Sequence, residues 1–270
     1  MNERVEAIQQ LWSVGCYEDV GALFVPVTEA VVAALPLAGR RVLDAATGTG
    51  NTAIAAARAG ADVAAFDLTP RLLDVARERA SAAGVTVDFA EGDLLAIPYP
   101  DDAFDVALST FGAFTADDPQ ACARELVRVC RPGGTIVSTA WASDGIFGVL
   151  TEVALARLAS VTPSGAPDPR AWTDADGLAG IFAGLPVSIE LTHRTVWLPF
   201  PSADEAIAMF EATSGPVQRM RAAITAQDAD GWPVVRAEIV ARWAASSRPG
   251  EHDDVLLPGT YGVATITVAG

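Results

Sequence analysis

Residues 42–50, Val-Leu-Asp-Ala-Ala-Thr-Gly-Thr-Gly, hold the densest chemistry of this 270-residue chain, because they read as a buried strand running into a glycine turn beside a ligand. Gly48 and Gly50 leave no side chain where a ligand must press against backbone. Asp44 closes the apolar run begun at Val42 and projects from the carboxyl edge of a sheet, where ligands of open α/β folds bind. Asp67 and Asp93 end the next two strand-like runs, so three acidic residues and the glycine turn converge on one edge. Gly48-x-Gly50-x-x-Ala53 also satisfies the dinucleotide fingerprint, which keeps an NAD-dependent oxidoreductase as an alternative reading.

Other catalytic types are scarce. The chain has two histidines, His193 and His252, and three scattered cysteines, Cys16, Cys122 and Cys130. No spacing among them suits a metal site, and none is expected. If the reaction needs a general base, His193 and His252 are the weak candidates for it. The formal net charge of −16 argues against a phosphate backbone as partner and favours a small molecule. The hydrophobic share is 51% and the mean hydropathy +0.30, yet every long apolar stretch is broken by Asp, Arg or Gly. Neither a membrane span nor a secretion signal is read from the sequence, and a cytoplasmic protein, monomer or homodimer, is expected.

These residues need a scaffold to bring them together. Apolar spacing predicts a short helix around Val5–Trp12 and a second from about 20 to 35. From 41 to 140, strands and helices alternate with short connections, which favours a parallel sheet covered on both faces. The strands are read at 41–45, 63–66, 85–89, 104–109 and 135–140. Thr69-Pro70 opens one intervening helix and Asp117-Asp118-Pro119 another. Pro163, Gly165, Pro167 and Pro169 mark an exposed connection. A long strand at 187–198, three helices between 202 and 246, and a last strand at 261–269 follow. The expected organisation is therefore an amino-terminal helical lid at 1–39, an α/β core at 40–200, a helical cap at 201–252 and a final strand at 253–270 that completes the core sheet.

With these motifs in place, the chain resembles the class I S-adenosylmethionine-dependent methyltransferases, and more narrowly the small-molecule group that includes ubiquinone and menaquinone methyltransferases. The resemblance is strong over about 40–141. It implies a Rossmann-like, doubly wound sheet of seven strands, mostly parallel, whose last strand inserts antiparallel beside the sixth. It also implies S-adenosyl-L-methionine as cofactor. Position by position, the family's nucleotide loop falls on Asp44 to Gly50, with Ala46 standing where the fuller pattern has its first glycine. Asp67, followed by Leu68, takes the place of the acidic residue that holds the ribose hydroxyls. Gly92-Asp93-Leu94 takes that of the step serving the adenine, and Ser109, Thr110 and Phe111 fall where the methionyl part is contacted. Tyr17 falls where the family's lid meets the cofactor. The Arg-Pro-Gly-Gly turn at 131–134 is structural in the family.

The resemblance also weighs between the two cofactors. A pyrophosphate beside Asp44 would meet like charge, whereas a sulfonium carries positive charge and suits an acidic rim. Methyl transfer is an in-line displacement that needs alignment and the exclusion of water more than it needs acid or base. Phe114, Trp141, Trp172, Trp197, Met209 and Phe210 are the expected walls of an acceptor pocket, which makes the expected acceptor small and mostly apolar. A protein that binds the sulfonium without transferring its methyl is the other alternative, since fold and cofactor site do not fix activity.

Overall fold

In the computed structural model, which describes residues 3–159 and 168–270, the five strand-like runs pair in parallel. They are β1 (Arg41–Ala45), β2 (Asp62–Asp67), β3 (Asp88–Glu91), β4 (Phe104–Thr110) and β5 (Cys130–Trp141). β6 (Val187–Phe200) and β8 (Val255–Val268) extend the sheet, and the two-residue β7 (Arg248–Pro249) pairs with β8 off the main path. The order is β3-β2-β1-β4-β5-β8-β6, with β8 antiparallel to both neighbours. This is the doubly wound, mostly parallel seven-strand arrangement expected from the sequence, with the two-residue β7 added at its margin. The strand order reverses direction between β1 and β4, and the crevice at the carboxyl ends there is the binding position of such sheets.

Side-chain alternation divides the interior into two cores. Val42, Tyr261 and Val263 point into one, while Leu43, Ala45, Ala264 and Ile266 point into the other. Eleven α-helices are described: α1 (Glu3–Ser13), α2 (Tyr17–Ala22), α3 (Val25–Ala33), α4 (Asn51–Arg58), α5 (Pro70–Ala82), α6 (Pro119–Val129), α7 (Ile146–Leu158), α8 (Ala175–Ile181), α9 (Ala203–Thr213), α10 (Gly215–Gln227) and α11 (Gly231–Ser246). The first core takes residues from α2, α3, α4, α7, α9, α10 and α11, and the second from α6 and α8.

Local chemistry explains where elements differ from the sequence reading. The helix expected at 20–35 is two helices, because Pro26 lacks an amide hydrogen and occupies the first turn of α3. The third strand begins at Asp88 instead of Val85: the Val85 amide donates to Ala80 O at 3.1 Å, closing α5 past Gly84 at φ +67°. β5 starts early, since Cys130 pairs with Phe104 and Thr135 with Val106, and residues 131–134 bulge between them. The last strand also starts early, at Val255. The connection expected around Pro163, Gly165 and Pro167 lies outside the described residues.

Candidate functional site

The loop between β1 and α4 turns on three left-handed residues, Ala46 (φ +57°), Gly48 (φ +54°) and Gly50 (φ +84°). Asp44 braces it from below. Its Oδ2 accepts hydrogen bonds from Thr47 Oγ1 at 2.6 Å and from the Ala53 amide at 2.9 Å, so the carboxylate ties the loop to the first turn of α4. Burial pushes Asp44 up to about 7, against the lowering effect of those bonds. Asp44 is buried, with its hydrogen bonds directed to Thr47 and Ala53, so its place is under the loop and not on the rim that the sequence suggested. Gly50 is likewise a turn residue outside the cavity walls, where an added Cβ would stand 3.1 Å from Ala76 Cβ.

Asp67, at the carboxyl end of β2, faces a slot with about 80 Å³ of free space. Its Oδ2 accepts from the Gly48 amide at 2.8 Å and its Oδ1 from the Thr69 amide at 2.9 Å, so one side chain ties together the loops that follow β1 and β2. Burial raises the carboxyl above the usual range, and the amide bonds oppose the shift. Asp93 lines the same slot and accepts from the Leu95 amide at 3.0 Å. Burial works against its charge, but the Arg4 guanidinium at 2.6 and 3.1 Å outweighs it and holds the carboxyl below its ordinary value. Tyr17, Ala46, Gly48, Leu68, Leu94 and Phe111 line the slot as well.

Two of these residues also close the neighbouring spaces. Tyr17 and Phe111 line the slot, a small polar pocket and a larger cavity of about 440 Å³. Burial, followed by the Asp67 charge, pushes the Tyr17 phenol up to about 12, so it stays protonated at neutral pH. Phe111 holds φ +58°, which for a phenylalanine costs about 1–2 kcal/mol. Its amide donates to Thr139 Oγ1 at 3.0 Å, and its ring stacks on Trp141 with centroids 3.7 Å apart and an interplanar angle of 7°. Those two contacts are worth about 1 kcal/mol and 0.5–1.5 kcal/mol, enough to offset the strain. Ser109 stays beneath the site: it donates to Ala45 O and accepts from the Ala113 amide, both at 2.8 Å, and joins the ends of β1 and β4.

The larger cavity is apolar. Phe24, Phe114, Trp141, Phe147 and Phe210 line it, with Val20, Leu150, Val217 and Met220. Three expected wall residues are elsewhere. Trp172 is sealed in the opposite core against Phe182, because the strands beside it turn that face away from the crevice. Trp197 is covered by the Arg248 guanidinium 4.0 Å above its ring, and Met209 packs against the first core without reaching the cavity. Neither histidine lines these walls. His193 Nε2 lies 2.9 Å from Thr173 O, and His252 is exposed in a turn where its amide donates to Asp254 Oδ1 at 3.1 Å. Among the described residues, the ionisable side chains on the apolar cavity are Tyr17 and Asp117.

Some wall residues escaped the sequence reading. Asn51, Thr28 and Thr52 line the polar pocket behind Tyr17, with Gly21 and Phe24. Asn51 Nδ2 donates to Gly21 O at 2.8 Å, which fixes the amide, and its Oδ1 is a buried acceptor without a partner. Arg4, Ile8 and Trp12 of α1 line the slot; their i, i+4, i+8 spacing was the available signal. Among the described residues no group of three or more acidic, histidine or cysteine side chains could hold a metal ion, and no helix is long and apolar enough to cross a membrane.

Comparison with known proteins places this geometry among relatives. Residues 42–134 match a family described as methyltransferase domain. An uncharacterized protein of Mycobacterium tuberculosis is 44% identical over 142 residues, which is 51% of each chain, so the match spans about half the length of that relative. The demethylmenaquinone methyltransferase of Thermus thermophilus is 34% identical over 193 residues, covering 70% of this chain and 80% of that one. Among solved structures, the YcgJ protein of Bacillus subtilis superposes with a TM-score of 0.60 at 16% identity, covering 90% of this chain and 98% of that one, a likeness of fold alone.

Proposed function

Because the chain belongs to the class I S-adenosylmethionine-dependent methyltransferase family, we propose that it moves a methyl group from S-adenosylmethionine to a small, mostly apolar metabolite bound in the aromatic cavity. The observation that carries this reading is the meeting of three spaces at Tyr17 and Phe111: an acidic slot, a polar pocket and an apolar cavity. Asp67 would hold the ribose diol and Asp93 the adenine amino group, with Leu68 and Leu94 on the faces of the nucleoside. Gly48 would let the nucleoside approach the loop. The polar pocket fits the amino-acid end, since the bare Asn51 Oδ1 is the acceptor an ammonium group needs. When bound, the cofactor supplies an electrophilic methyl on a positively charged sulfur.

The chain's own residues supply alignment and dryness. Tyr17 and Phe111 wall the junction, and an aromatic face beside a sulfonium is attractive by the cation–π effect. Phe114, Trp141 and Phe210 orient a flat apolar acceptor and exclude water. Tyr17, pushed up to about 12, keeps its proton at neutral pH and serves as a hydrogen-bonding group and not as a base. That neither His193 nor His252 lines the cavity supports transfer driven by proximity. The amino-terminal helices serve as lid, and α9 and α10 close the cavity as a cap.

The test is calorimetric titration with S-adenosylmethionine and S-adenosylhomocysteine, followed by mass-spectrometric detection of methylated products from a panel of phenols, quinols and polyketide-like aromatics. Binding together with methylation of apolar members is the expected result. Tight binding with no product from any acceptor would favour a protein that holds the sulfonium without transferring its methyl, and binding of NAD in its place would overturn the reading.

A further inference from the structure

Helix α1 lies over the site without belonging to the core. None of its residues is fully buried, yet Arg4, Ile8 and Trp12, one turn apart, line the slot, and Leu11 and Trp12 also line the apolar cavity. One helix is therefore a wall of both spaces. Its inner face packs against α10 and α5, and ligands in the two spaces would extend that packing.

Polar contacts hold it there, and they end on the residues that frame the site. The Arg4 fork meets Asp93 at 2.6 and 3.1 Å, and Arg4 Nε meets Asp117 at 2.7 Å. Asp93 lines the slot, whereas Asp117 lines both the slot and the cavity. Gln9 Nε2 donates to Leu68 O at 2.9 Å and to Glu91 Oε1 at 3.2 Å, and Trp12 meets Tyr17 edge-on with centroids 5.3 Å apart. Partly exposed ion pairs of this kind are individually weak, so the docked position is easily biased by whatever fills the slot. Asp93 need not release Arg4 to serve a ligand. A carboxylate has about four lone-pair sites, and Arg4 with the Leu95 amide uses three.

We propose that Arg4 is the positioning residue that couples the two spaces: by gripping Asp93 and Asp117 with one guanidinium it sets α1, and with it the Trp12 wall, so that cofactor in the slot tightens acceptor binding in the cavity. The proposal rests on the reading of the slot as the cofactor site. The coupling follows from differential contact, because a ligand against Ile8 and Trp12 favours the docked helix, and only the docked helix completes the second cavity. By linkage the acceptor tightens the cofactor by the same factor.

The experiment uses S-adenosylhomocysteine for the slot and 1-naphthol for the cavity, titrated singly and together into the full chain and its Arg4→Ala and Arg4→Lys variants. Amide hydrogen exchange of residues 3–13 is followed in parallel. Saturating S-adenosylhomocysteine is expected to tighten 1-naphthol by about fivefold or more and to slow exchange across α1. In Arg4→Ala the tightening falls below about twofold while S-adenosylhomocysteine still binds, and Arg4→Lys, which keeps the charge without the fork, restores part of it. Equal tightening in Arg4→Ala and the parent chain overturns the proposal, as does exchange across α1 that is indifferent to S-adenosylhomocysteine. Failure of S-adenosylhomocysteine to bind the parent chain removes the reading of the slot, and the coupling with it.

Discussion

Asp67 joins backbone amides of the loops that follow β1 and β2, so its carboxylate is the side chain on which the proposed nucleoside site depends most directly. Asp67→Ala is expected to weaken S-adenosylhomocysteine binding by about 1.5–3 kcal/mol in calorimetry, the scale of hydrogen bonds to a charged group. An unchanged dissociation constant would move the ribose elsewhere. Asp44 makes a different prediction, in pH. Its carboxyl, at about 7 when folded against 3.8 as its ordinary value, binds its proton more tightly in the native state. The stabilisation is therefore fully present below about pH 4 and is lost as pH rises through about 7, on the order of 4 kcal/mol in all. Asp44→Asn, which can still accept from Thr47 and Ala53, is expected to flatten the fall in denaturation midpoint between pH 5 and pH 8. A slope equal to that of the parent chain would refute the assignment. Ala46 sits at φ +57° where glycine is at ease, so Ala46→Gly is expected to change stability by less than about 1 kcal/mol, relief of strain being set against lost chain entropy. A loss of several kcal/mol in chemical denaturation would show that the Ala46 methyl is needed for packing. The acids and glycines of this site were legible because their types and strand-end positions are local facts. That Asp44 supports the loop from below was not, because it depends on where Thr47 and Ala53 fold back.

The elements most easily read were those whose pattern matches a single environment. β1, β2 and β4 have buried centres and read as short apolar runs, whereas β3 was displaced because the end of α5 captures the Val85 amide. Aromatic residues were harder to sort, since a ring in a cavity wall and a ring in a core have the same sequence signature. Trp141 ends β5 at the crevice, while Trp172, outside the strands, falls on the opposite core. Trp141 lines the apolar cavity and not the slot, so Trp141→Ala is expected to raise the acceptor KM at least about tenfold, the loss of a stacked aromatic contact, while leaving the S-adenosylhomocysteine dissociation constant within about twofold. Equal damage to both constants, measured by initial rates and calorimetry, would show that the indole supports the junction as a whole.

At the scale of the molecule, a formal charge of −16 surrounds a slot whose proposed ligand is cationic. S-adenosylmethionine carries one more positive charge than its product, so raising salt from about 50 to 500 mM is expected to weaken the substrate form more than S-adenosylhomocysteine. Equal salt slopes in paired titrations would remove electrostatic attraction from the account. Net charge weighed only against a phosphate backbone as partner, whereas the alternation of strands and helices disclosed the layer plan, because it is a pattern summed over many residues. The helical spacing of α1 was legible, but the two spaces it walls were not, since its placement depends on contacts such as Arg4 with Asp93 across 89 positions of sequence. β8 shows the same distance effect in time. It lies between β5 and β6, and β6 has no other neighbour in the sheet. A growing chain therefore makes β6 and the helices α9, α10 and α11 before the strand that joins β6 to the rest of the sheet exists. Until residues 255–268 leave the ribosome, one long edge of β6 and the facing edge of β5 stay open to the wrong strand, so assembly of this half of the sheet waits on the late synthesis of its wedge.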